Sequence, residues 1–139
     1  MQTTLTIIKP DAFAAGNTGN ILAHLQGEGF ALRGLRQLHL SQAQAEAFYA
    51  VHAERPFYGD LVAFMTRGPV VVAALARADA VTHLRAVMGA TDVAKAEDGT
   101  IRKLYGTSIE ENAIHGSDSP ENAAIEVDFF FRQSELAPV

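Results

Sequence analysis

"PVVVAAL", residues 69–75, is a nearly unbroken apolar run rich in valine. Such a run reads as a central strand covered on both faces, because a strand with one wet face alternates apolar and polar residues instead. Working outward, "TLTIIK" at 4–9 is a second β-branched strand, and Pro10 ends it because proline cannot donate to the ladder. "FALRGLRQLHL" at 30–40 alternates well enough for a third strand, with Gly34 marking a bulge or a close backbone approach. "AIEVDFFF" at 124–131 completes the set, with Ile125, Val127 and Phe129 on one side.

Helical signals lie between these runs. Ile21, Leu25 and their neighbours give a short stripe that ends at Gly27 and Gly29. Ser41 and Gln44 form a capping-box pattern for a helix through Phe48 and Tyr49. Pro56 interrupts, and 57–66 restarts as a helix. Asp79 is placed to cap 80–88, where Val81, Leu84 and Met88 share a face. Ser108 with Glu111 suggests a further brief helix. Residues 89–107 have no sustained period and read as a long loop, of a kind that often carries function. The last eight residues read as a short tail, free to fray. Four strands in the order β-α-β, β, β predict an α/β fold: a ferredoxin-like split βαβ sandwich with a four-stranded antiparallel sheet and a long inserted loop.

Composition narrows the class. The chain has 139 residues, 48% hydrophobic, enough for one domain over 1–139 with a real core. The net charge of -5 argues against broad nucleic-acid affinity, so no specific nucleic acid is expected. With no cysteine there is no disulfide framework and no thiolate metal site. The first residues, "MQTTLTIIKPDAF", lack a signal peptide's basic flank and apolar core, and no run approaches the roughly 20 apolar residues of a membrane span. The expected location is the cytoplasm.

The chemistry centres on "NAIHGSDS", 112–119, where an imidazole stands beside a glycine and a run of small polar residues. From the residues alone, His115 is either an ordinary turn histidine or a nucleophile or general base, since its ordinary pKa of about 6.5 leaves a free nitrogen near neutrality. Glu126 is placed to hold the second nitrogen if the chain turns back. Lys9, Arg85 and Arg102 are each solvated charges unless they converge, in which case they neutralise a phosphate chain. Thr91 and Asn112 add neutral donors. Tyr49 and Phe57 either pack in the core or offer a face to a nucleobase. No Walker-type glycine loop and no paired-histidine metal spacing occurs, so a metal taking part is Mg²⁺ arriving on phosphates rather than a caged ion.

"TIIKPDA", "RPFYGDLVAFMTRGPVV", "RAVMGAT", "GTIR" and "NAIHGSDS" together resemble the nucleoside diphosphate kinases, in the family's order and at its spacing. The resemblance covers essentially the whole chain. It implies a ping-pong reaction, in which the γ-phosphoryl group of a nucleoside triphosphate passes to His115 and then to a nucleoside diphosphate. It implies that Lys9 contacts phosphate beside the nucleophile, that Tyr49 packs near it, and that Phe57 stacks on the base. Arg85, Thr91 and Arg102 match the phosphate-binding trio, and Asn112 matches the asparagine that reaches sugar and phosphate. Ser117 and Glu126 match supporting residues, with Glu126 orienting the ring. The intact set favours an enzyme over a module that only binds nucleotide.

Departures from the family pattern are local. Asp92 and Val93 stand where Asn-Pro is common, Asp98 replaces a usual proline, Lys95 falls at an acidic or neutral position, and "KLYG" follows Arg102. None removes a matched catalytic group. They alter a loop that builds subunit contacts in the family, and the carboxyl terminus is short beside that of hexameric members. The resemblance implies a homo-oligomer built from dimers. Those departures favour a tetramer over a hexamer.

Overall fold

A computed structural model describes residues 1–139. Four strands form one sheet: β1 (Gln2–Ile8), β2 (Ala31–Leu38), β3 (Val70–Arg77) and β4 (Ile114–Gly116). Their spatial order is β2-β3-β1-β4 and every neighbouring pair is antiparallel. Seven helices accompany them: α1 (Pro10–Ala14), α2 (Thr18–Gly27), α3 (Gln42–Phe48), α4 (Tyr58–Thr66), α5 (Ala80–Met88), α6 (Ile101–Tyr105) and α7 (Pro120–Phe130). This is the expected ferredoxin-like sandwich.

β3 is central, and its side chains divide by parity. Val71, Ala73 and Leu75 pack with Ile21, Leu25, Leu84 and Met88, while Val70, Val72 and Ala74 pack with Phe64, Met65, Val127 and Phe130. Two apolar faces, each under helices, are why 69–75 carries no polar alternation. β2 pairs only with β3, and its register slips between Leu32 and Gly34. A Cβ on Gly34 would stand 2.8 Å from the Phe131 ring, so the glycine serves both a bulge and a close approach.

One strand assignment is corrected. Residues 124–131 belong to helix α7, and the fourth strand is the three-residue β4. Ser119 caps α7 by accepting from Asn122 N, and Pro120 sits in its first turn, where its missing N–H costs nothing. Ala123, Val127 and Phe130 are buried, four and three residues apart, whereas Ile125 and Phe129 are exposed. The burial period is therefore helical, and the apparent alternation joins one buried residue to two exposed ones.

Smaller differences have local causes. The 89–107 stretch contains a 3₁₀ turn at Val93–Lys95 and helix α6, capped by Thr100. Asp79 holds the position before α5 at φ 52° without capping through its side chain, and Gln2 Oε1 accepts from Val81 N instead. Ser108 Oγ accepts from Glu111 N, but no helix follows. The tail is docked: Ala137 N donates to Arg33 O at 2.8 Å and Arg33 Nε to Ala137 O at 2.7 Å. No helix is long and apolar enough to cross a membrane.

Candidate active site

His115 is the middle residue of β4 and pairs with Ile7 of β1. Its backbone is further held by Thr6 Oγ1, which donates to His115 O at 2.8 Å. The glycine beside it answers to packing. A Cβ on Gly116 would meet Met88 Sδ at 2.5 Å and Leu84 at 3.0 Å, so α5 can lie on β4 only if that residue has no side chain. Just upstream, Ala113 has φ 73°, a left-handed conformation that L-residues seldom adopt. Two backbone bonds and a carboxylate hold it there: Lys9 N donates to Ala113 O at 2.9 Å, Ile114 N to Asn112 O at 2.9 Å, and Ala113 N to Asp11 Oδ2 at 3.1 Å.

The imidazole is fixed from behind. His115 Nε2 lies 2.8 Å from Glu126 Oε1, and Ser117 Oγ donates to the same oxygen at 2.8 Å. An ionised carboxylate only accepts, so Nε2 carries the hydrogen and Nδ1 is left with a lone pair and no protein partner. Glu126 reaches this position from helix α7, not from a strand. Phe48 and Tyr49 stand edge-on to the ring, with centroids 5.5 and 6.3 Å away. Tyr49 is buried, its hydroxyl has no partner, and burial followed by the nearby Glu126 charge raises its pKa.

In front of the ring a cleft of about 660 Å³ collects Lys9, Tyr49, Arg85, Thr91, Arg102, Asn112 and Glu126 around His115. Lys9 leaves the end of β1 and is 8% exposed; its Nζ donates to Asn112 Oδ1 at 2.8 Å. Burial, then the Arg102 charge, push its pKa down to about 8 against the opposing pull of Asp11. Arg102 on α6 donates to Gly89 O and Ile114 O, and burial with the Arg85 charge brings its pKa to about 10. Arg85 on α5 donates to Gly116 O at 3.3 Å. Asn112 Nδ2 donates to Ile109 O and Thr91 O, tying three segments into one wall. Burial first and crowding of cations second lower the pKa values of Lys9 and Arg102, and a bound polyanion offsets both by favouring the charged forms.

Two expected residues lie outside this cleft. Ser117 is fully buried behind Glu126. Phe57, 48% exposed, borders an adjoining slot of about 490 Å³ that shares Lys9, Thr91 and Asn112 with the cleft. Ile109, 61% exposed, lines the same slot, so an aromatic and an aliphatic side chain offer it apolar walls. Sequence reading missed Ile109, Phe48, His52 and Asp118. His52 lines the cleft with its ring 5.4 Å from Phe57. Asp118 is held by Asn122 Nδ2 at 2.6 Å, and that bond, with help from the Arg85 charge, lowers its pKa. Its place inside the histidine motif, three residues after His115, was the available signal.

Fold and cleft define a class, an antiparallel α/β sandwich that sets His115 in a cleft with two buried cations, Lys9 and Arg102. Comparison with known proteins makes the class specific. The family model described as nucleoside diphosphate kinase matches residues 2–136. A nucleoside diphosphate kinase of Geobacter sp. strain M21 is 54% identical over 136 residues, covering 98% of this chain and 99% of that protein. One from Sorangium cellulosum is 52% identical, covering 99% and 96%. Among solved structures, the Aquifex aeolicus nucleoside diphosphate kinase superposes with a TM-score of 0.96 at 42% identity, covering 98% of this chain and 99% of that one. The halophilic enzyme from Halobacterium salinarum, solved in complex with CDP, gives 0.94 at 36%, covering 99% and 92%. The chain belongs to the nucleoside diphosphate kinase family and is a phosphotransferase.

Proposed function

We propose that this chain moves the γ-phosphoryl group of a nucleoside triphosphate onto His115 Nδ1 and from there onto a nucleoside diphosphate. In the first half, the bond from the γ-phosphorus to its bridging oxygen breaks as the nitrogen–phosphorus bond forms, and the diphosphate leaves. The second half reverses this with a new diphosphate. The observation that carries the reading is the pairing of His115 Nε2 with Glu126, which leaves Nδ1 as the free nucleophile in a cationic cleft. Glu126 balances the positive charge that the ring acquires on phosphorylation, and Ser117 keeps Glu126 in place. Lys9, Arg85 and Arg102 offset charge on the transferred group, with Thr91 and Asn112 as neutral partners. Tyr49 packs the ring, and Phe57 stacks on the base.

The donor set suits Mg²⁺ carried in on the phosphates. No group of three or more His, Asp or Glu side chains is gathered to cage an ion, and Asp118 is the one carboxylate beside His115 and Arg85 that faces solvent. Bound there, Mg²⁺ would neutralise phosphate charge with few protein ligands. The partners are nucleoside di- and triphosphates, as ribose or deoxyribose forms, and further copies of the chain; the setting is the cytoplasm. The test is mass spectrometry of the intact protein after ATP and Mg²⁺. One added phosphoryl group on His115, lost on a chase with GDP, is expected. A chain that turns over nucleotides without ever carrying that group sinks the ping-pong reading.

A further inference from the structure

The slot beside the cleft has two chemically different ends. Lys9, Thr91 and Asn112 join it to the cleft, and Asp60 and Glu110, which the cleft does not share, join it to a neighbouring hollow that Arg67 and Glu111 also line. Asp60 lies in the first turn of α4, three residues beyond Phe57, and Glu110 follows Ile109, so each apolar wall carries its own carboxylate. Both carboxylates are exposed. The ion pairs of the molecule are Arg67–Glu111, His83–Glu28 and His115–Glu126, so neither Asp60 nor Glu110 is in one, and Arg67, which lines the neighbouring hollow with both, is paired with Glu111. Neighbouring acids are spent: Glu111 pairs with Arg67, and Asp11 accepts from Ala113 N. The slot is a place for a ligand on independent grounds, since it opens from buried Lys9 and has apolar walls.

A nucleotide entering this groove has one favourable direction. Its phosphates go to the cationic end, and the edge of its base comes to rest toward the carboxylates. An ionised carboxylate accepts hydrogen bonds and cannot donate them. Cytosine and adenine offer an exocyclic amino group to such an acceptor, and guanine offers two adjacent N–H donors. Uracil and thymine offer a single N–H between two carbonyl oxygens, which a carboxylate repels. We propose that Asp60 and Glu110 read the edge of the nucleobase and make this site prefer amino-bearing bases, guanine first and uracil or thymine last. This rests on the nucleotide reading above and adds a selectivity to it that stacking on Phe57 does not supply.

Stacking area must be held constant in the test. CDP and UDP have the same ring size and differ at the amino group, and GDP and IDP differ in the same way. Dissociation constants for all four are measured by calorimetry on the wild-type protein and on the double variant Asp60→Asn, Glu110→Gln. The wild type is expected to bind CDP over UDP, and GDP over IDP, by about fivefold to tenfold, the low end for a base-edge contact because both carboxylates are exposed. In the double variant both ratios are expected to fall to near one, since an amide presents a donor or an acceptor by flipping. Ratios near one in the wild type, ratios unchanged in the variant, or an equal gain for all four ligands would overturn the proposal, the last showing only relief of charge. Phosphorylation of His115 by ATP is followed in parallel. If it occurs while the ratios fail, base-edge reading alone is wrong; if no diphosphate binds and His115 takes no phosphoryl group, both readings fall.

Discussion

The proposed role of His115 as nucleophile rests on one hydrogen bond, between its Nε2 and Glu126, which leaves Nδ1 without a protein partner. Replacing His115 with Ala should abolish both half-reactions while the circular dichroism spectrum stays native, and transfer at a normal rate by the folded variant would refute the assignment. Glu126→Ala should lower the phosphorylation rate by about 10–100-fold, borrowing the scale seen when partners of metal-bound histidines are removed. Lys9 gives a pH prediction. Its folded pKa is depressed to about 8, so the free enzyme loses this cation as pH rises through 8. The kcat/KM profile should therefore fall on an alkaline limb near pH 8. In the nucleotide complex the phosphate anions raise that pKa, and the limb in kcat should move to higher pH. Coincident limbs would argue that Lys9 does not meet the phosphates. Stability has its own sign. Because folding disfavours the charged lysine, this group's contribution rises between about pH 8 and the ordinary lysine value. Lys9, Arg85, Thr91, Arg102, Asn112, His115 and Glu126 were legible because each stands at a fixed place in a motif or carries chemistry that pairs with the histidine. Ile109 and Phe48 were not, since apolar side chains announce only that they pack.

At the scale of elements, β4 shows why sequence patterns run out. Three residues contain no period, and what makes Ile114–Gly116 a strand is its pairing with β1, a partner more than 100 residues away. Helix α7 misleads for the opposite reason, because its valine, isoleucine and phenylalanines are strand formers by propensity. The cap at Ser119 and Pro120 was the better guide to it. By contrast, β1 and β3 were legible because burial on both faces leaves a continuous apolar run. The contact between β4 and α5 supports a prediction. Gly116→Ala would place a methyl group against Met88 and Leu84, and overpacking of this kind costs about 1–3 kcal/mol. The melting temperature should drop, and the phosphorylation rate should fall too, because relief by moving β4 shifts His115. Full stability in chemical denaturation would show that α5 can retreat freely.

The whole molecule presents one open edge of consequence. The sheet order leaves eight-residue β2 with a partner on one side only, whereas the opposite edge is the short β4. Along β2, Leu35 is 48% exposed and Arg36 and Gln37 lie in solvent beside it. Unpaired backbone donors and acceptors on such a strand invite a second copy, and a two-fold axis across β2 satisfies both chains at once. The tail meets the strand at Arg33, through Ala137, and at Gly34, beside Leu136, and leaves Leu35, Arg36 and Gln37 exposed. A dimer through β2 is thus the expected building unit, with a complete cleft in each subunit because every matched residue comes from one chain. The family resemblance implies that growth beyond the dimer uses the 89–107 segment. Asp92 is partly committed to its own turn, accepting from Ala94 N, but Glu97 and Asp98 are exposed there with only Lys95 and Lys103 to offset them. The assembly expected beyond the dimer is therefore a tetramer rather than a hexamer, since like charges gathered around a three-fold axis repel, most strongly at low salt. Light scattering coupled to gel filtration at low and high salt measures the mass, and Leu35→Glu separates the two contacts. The variant should run as a monomer, because a charge facing its own copy across the axis breaks the dimer. A hexameric mass for the wild type at both salts would show that loop charge does not control assembly, and a Leu35→Glu protein of unchanged mass would move the dimer contact off β2.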